Sequence, residues 1–262
     1  MDIKESKNNE TTLTKEELLE LKCKQTKAIL SANRYMKDPN FVNDMLALSE
    51  QFYRLFPNVD IKQYQEKLKD VRVLYFGKYT YKNDAVRYLP NDNVIMVNAD
   101  KITKEEVDVE HALMKTVIMM ITTNGNTYGF GNNPTLDALN VGFLDLTARA
   151  MVGDVGNSGH KQEREVVDFI GKRIGVEPFI DAFFTNNPQI LMESMLKKYP
   201  NVETLTATLE QINNSMHTKE IDEDFIPTKL HLKLMDMFGK IDFDLVNQPV
   251  NANSQVLGGK TR

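Results

Sequence analysis

Hydrophobic positions recur at helical spacing through most of this chain, with one interruption. Thr14 precedes "KEELLELKCKQTKAILSANRYM", and Glu17 three residues on completes a capping box, which predicts a helix starting at Lys15. After the "KDPN" break, "FVNDMLALSEQFYRLF" again spaces its apolar residues for one helical face and stops at Pro57. "DIKQYQEKLKD" predicts a third, shorter helix. The pattern then changes at "VRVLYFG", "KYTYKNDAVRYLP" and "VIMVNA", where β-branched and aromatic residues crowd short runs separated by the turn "NDN". Three strands in a small antiparallel-type sheet are expected there.

From about residue 103 the helical period returns. Thr103 is placed to cap "KEEVDVEHALMKTVIMMITT", a Gly/Asn loop covers 124–134, and Pro134-Thr135 lead into "LDALNVGFLDLTARAMV". The loop "GDVGNSG" separates this from "KQEREVVDFIGKRIG", "EPFIDAFF", "PQILMESMLKKY" and "NVETLTATLEQINNSM". The expected fold class is therefore α+β: N-terminal helices over 14–69, a sheet followed by a mainly helical domain over 70–200, and further helices over 201–246. The polar ends 1–13 and 247–262 are expected to be disordered.

Composition narrows the function classes. With 262 residues, 41 % hydrophobic and 26 % charged, the chain is long enough for one substantial core. A net charge of −5 and a pI near 5.5 supply no clustered basic footprint, so nucleic acid is not an expected partner. One cysteine, Cys23, makes neither an internal disulfide nor a thiolate cluster. No membrane span and no signal peptide stand out, and the expected location is cytoplasmic; export without a cleavable signal is compatible with the same sequence. The terminal "GGKT" lacks the earlier glycine and the following helix that a phosphate loop needs.

The strongest chemical signal is a pattern without its ligands. A zinc protease of the H-E-x-x-H type carries two histidines four residues apart on one helix face, with a glutamate beside them to activate water. Here "NVIMVNA", then "LMKTVIMMIT", then "LNVGFLDLTARAM" and the helices from "QEREVVDFIG" onward resemble, over roughly residues 70–200, a compact bacterial gluzincin. In that family the next helix supplies a third ligand from N-E-x-x-x-D, and its aspartate orients the first histidine. The resemblance puts Lys115 at the first histidine, Thr116 at the general base, Met119 at the second histidine and Val141 at the third ligand, while Asn140, Gly142 and Asp145 match the family pattern. A second register, His111 with Lys115, lacks a base at Ala112 and still ends on a cation.

Lysine at neutral pH has no lone pair, methionine is a weak ligand, valine offers none, and a threonine hydroxyl does not act as a carboxylate base. The resemblance therefore implies a catalytically inactive relative without a metal or other cofactor. Its former cleft would bind a peptide or protein partner, with Asn140, Asp145, His111 and Tyr128 supporting or lining it. A Lys115–Asp145 ion pair is expected to bridge the two helices where the metal would sit. Two alternatives stay open: an enzyme using Lys115, Asp145, His111 or Tyr128 in a different acid–base set, and a helical interaction protein with no protease ancestry. For "ALMKTVIMMIT" by itself, simple core filling explains the methionines equally well.

Overall fold

A computed structural model describes residues 13–77, 85–103, 108–131, 133–153 and 160–217. The class is α+β, as the hydrophobic pattern predicts: a three-stranded sheet set among helices. The N-terminal part holds α1 (Lys15–Ala32), α2 (Pro39–Leu55) and α3 (Lys62–Leu68). Thr14 and Glu17 form the expected capping box on α1. The helix ends earlier than its sequence pattern, because Asn33 turns away to donate its amide to the carbonyls of Leu68 and Val71 at the end of α3.

The sheet comprises β1 (Arg72–Phe76), β2 (Val86–Leu89) and β3 (Val94–Asn98) in the order β1-β3-β2. It is mixed rather than antiparallel. β2 and β3 pair antiparallel around a tight turn, but β1 runs parallel to β3, with Arg72 opposite Val94. Residue alternation sets which face is buried and is indifferent to strand direction, so the pattern alone did not carry this difference.

Beyond β3 come the short α4 (Ala99–Thr103), then α5 (Val109–Thr122), α6 (Asp137–Val152), α7 (Lys161–Ile174), α8 (Glu177–Thr185), α9 (Pro188–Lys198) and α10 (Val202–His217). The α5 cap is Asp108, whose carboxylate accepts from the His111 amide at 2.8 Å, not Thr103, which ends α4. The expected tails at 1–13 and 247–262 lie outside the described residues except for Leu13, which is exposed.

One continuous core joins all these parts, from Leu30 and Phe52 through Ile95 and Val117 to Phe143, Phe183 and Ile212. α2 packs on α5 and α6, so the N-terminal helices belong to the body that carries the candidate site. No helix among the described residues is long and apolar enough to cross a membrane.

Candidate functional site

The α5–α6 pair is held from both ends. At the end of α5, the Lys67 ammonium donates to the carbonyls of Met120 and Thr123, each at 2.7 Å, and the Asn186 amide donates to Thr122 at 2.6 Å and to Gly129 at 2.7 Å. Burial lowers the pKa of Lys67 to about 8. At the start of α6, Asn213 of α10 accepts from the Ala138 amide at 2.8 Å and donates to the Pro134 carbonyl. α7 closes on α6 at Gly142, where an added Cβ would stand 2.3 Å from the Glu163 carbonyl oxygen. Only a residue without a side chain permits that approach.

This close packing delivers basic groups from three helices to one carboxylate. Asp145 on α6 is 0 % exposed. Its Oδ1 lies 3.4 Å from Lys115 Nζ and 3.3 Å from His111 Nε2, both on α5 and one turn apart. Its Oδ2 accepts from Arg149 Nε at 3.1 Å, one turn along α6, and from Arg164 Nη1 at 2.7 Å on α7. A buried carboxylate without partners would cost several kcal/mol, and converging cations with charge-assisted hydrogen bonds offset that cost. His111 Nε2 is buried and, among the described residues, makes no hydrogen bond despite its proximity to Asp145.

Lys115 and Asp145 do meet across α5 and α6, the contact that the resemblance led us to expect. Arg149 and Arg164 were missed. Arg149 was accessible in principle as the residue four beyond Asp145 on a helix, whereas nothing local announces Arg164.

The remaining positions have other partners. Thr116 is buried and donates its hydroxyl to the Ala112 carbonyl at 3.1 Å, within its own helix. Asn140 is also buried. Its Oδ1 accepts from the Phe130 amide at 3.0 Å and its Nδ2 donates to the Tyr128 carbonyl at 3.3 Å, which pins the 124–131 loop to α6. Met119 and Val141 are half-buried apolar residues, each one helical turn from the Lys115–Asp145 contact, and Tyr128 is half-buried in the pinned loop. Asp145, Lys115 and His111 thus come together, while Asn140 and Thr116 serve backbone groups elsewhere.

Among the described residues, no group of three or more His, Cys, Asp or Glu side chains is placed to hold a metal ion. What the arrangement provides chemically is a locked electrostatic junction: a carboxylate out of solvent, and a Lys115 side chain that keeps 22 % exposure. Comparison with protein-family models, with curated proteins and with solved structures returns no match.

Proposed function

We propose that this chain is a catalytically inactive, metalloprotease-like protein that uses the face of α5 and α6 as a docking surface for a peptide or protein segment. The observation that carries the reading is the 3.4 Å approach of Lys115 Nζ to Asp145 Oδ1 across the two helices. A cation stands where the resemblance puts a metal-bound histidine, and it faces the acid that would have oriented that histidine. Half-buried Met119 and Val141, one helical turn from partly exposed Lys115 and its partner Asp145, suit a segment carrying an apolar side chain and an acceptor for the ammonium.

A catalytic role for His111 and Asp145 has less support. Their 3.3 Å approach resembles an acid–base pair, but both side chains are buried, at 7 % and 0 % exposure, away from any reacting group in solvent.

The decisive experiment restores the lost letters. The quadruple variant Lys115→His, Thr116→Glu, Met119→His and Val141→Glu should retain about one equivalent of zinc after dialysis, and the natural chain less than about a tenth of an equivalent. A folded quadruple variant that retains no zinc, or a natural chain that retains one equivalent, would overturn the assigned register. Docking is then checked by peptide-array binding to the natural chain, with Lys115→Glu expected to abolish the signal.

A further inference from the structure

The loop that follows α5 carries a reactive dipeptide. Asn124-Gly125 is the single Asn-Gly step in the chain, and both residues are exposed. Asn124 donates its amide to the Thr127 carbonyl at 2.8 Å and accepts from the Thr127 amide at 3.2 Å, so Gly125 and Asn126 are the two central residues of a tight turn. Gly125 has φ +59°, the left-handed value that a type II′ turn needs at its first central position. Among the described residues, nothing beyond its chain neighbours lies within 4 Å of where a Gly125 Cβ would stand.

This pairing sets a nucleophile beside an electrophile in one chain. The Gly125 amide nitrogen gives its proton to solvent and attacks Asn124 Cγ, the N–Cγ bond forms, the Cγ–Nδ2 bond breaks and ammonia leaves. Because the reaction is intramolecular, no catalyst has to bring the two groups together. Water then opens the five-membered succinimide at one carbonyl or the other, which yields aspartate or, with the backbone rerouted through Cγ, isoaspartate. Glycine is the residue that permits the attack, since no Cβ crowds its nitrogen and its backbone rotates freely.

The fold controls how often the attack succeeds. Ring closure requires rotation about the Cα–C bond of Asn124, which swings its carbonyl off the Thr127 amide. The two arms of the loop are clamped by one side chain: Asn186 Nδ2 donates to the Thr122 carbonyl at 2.6 Å on one side of the turn and to the Gly129 carbonyl at 2.7 Å on the other. The reactive geometry is therefore reached when the loop opens locally, without unfolding of the core.

We infer that Asn124 is a site of spontaneous deamidation, converted by its Gly125 neighbour to isoaspartate and aspartate at a rate set by opening of the loop that Asn186 clamps. The product places a carboxylate next to Thr123, the C-cap of α5, where negative charge is unfavourable. Isoaspartate also lengthens the backbone within the turn, so its pairing with Thr127 is lost. The modification is a time-dependent mark that loosens this loop, and it does not rest on the docking role of α5 and α6.

The test incubates the full chain near neutral pH at 37 °C, digests it in acid, and reads aspartate and isoaspartate at each asparagine by electron-transfer fragmentation in a mass spectrometer. Asn124 should convert, with isoaspartate the major product, about tenfold more slowly than in the urea-unfolded chain. Asn126, equally exposed in the same turn but followed by Thr127, should stay intact over the same period. Asn186→Gly keeps the left-handed backbone of that residue, φ +52°, and deletes its amide. It should speed conversion at Asn124 about fivefold, the loss of one or two hydrogen bonds. No conversion at Asn124 in the folded chain while the unfolded chain reacts, or equal conversion of Asn126, would overturn the site. An unchanged rate in Asn186→Gly, or a rise shared by every other asparagine, would overturn its control by the loop.

Discussion

The Lys115 ammonium on α5 stands 3.4 Å from the Asp145 carboxylate on α6, and the same carboxylate also receives Arg149, Arg164 and His111. Asp145 is therefore the shared partner and Lys115 one contributor among several, which makes their substitutions unequal. Asp145→Asn or Asp145→Leu should cost about 3–5 kcal/mol, because the carboxylate on which the basic groups converge is gone. Lys115→Met should cost about 1 kcal/mol or less, since both arginines still hold the acid. Adding Lys115→Met to Asp145→Leu should not restore stability. Chemical denaturation of the three variants measures this, and equal losses for the two single substitutions would show a simple pair instead of a junction.

Gly142 and Gly171 offer a contrast within the α6–α7 pair. A Cβ at Gly142 meets the Glu163 backbone at 2.3 Å, so Gly142→Ala must push α7 away and should cost about 3 kcal/mol, with Arg164 drawn off Asp145. A Cβ at Gly171 meets nothing within 4 Å, and the residue lies inside α7, so Gly171→Ala should add about 0.5–1 kcal/mol. Opposite shifts in melting temperature are the expected result.

Asn140 holds the loop before α6 through the Phe130 amide and the Tyr128 carbonyl. Asn140→Ala leaves the buried Phe130 amide without its acceptor and should cost about 1–3 kcal/mol. Limited proteolysis should then cut first within 124–131, and an unchanged cleavage map would mean that the loop is held by its packing alone.

Stability should depend on alkaline pH in two opposed ways. Lys67 has its pKa lowered by burial to about 8, below the 10.5 of the unfolded chain. The folded state releases this proton first, so stability rises between about pH 8 and 10.5 relative to a Lys67→Met variant. Tyr53 and Tyr88 are raised by burial to about 12 from 10.0 unfolded, and burial holds Tyr64 well above its ordinary value. Tyr53 shares a 2.7 Å hydrogen bond with Thr26, and Tyr64 one of 2.6 Å with Ser49. These phenols keep their protons in the fold while the unfolded chain loses them, so stability falls above about pH 10. Melting curves of the natural chain and Lys67→Met from pH 7 to 11 should diverge up to about pH 10 and then fall together.

The sequence by itself determined the elements. Apolar periodicity placed α1, α2, α3 and the helices from α6 to α10 within a few residues, and the body of α5 though not its cap, because a helix must bury one stripe and its side chains declare that stripe locally. The cap at Thr14 and the three strands were legible for the same reason: their chemistry lies within a few residues of where it acts. The Lys115–Asp145 contact was expected only through the resemblance, since no pattern along α5 or α6 alone pairs those two positions.

Only the tertiary structure decided which direction β1 runs, how closely α7 approaches at Gly142, and that Arg164 completes the surroundings of Asp145. Each of these depends on the placement of one element against another distant in sequence. Side-chain pattern along a single element is blind to that placement, which is settled by packing density and by the need of a buried charge for partners.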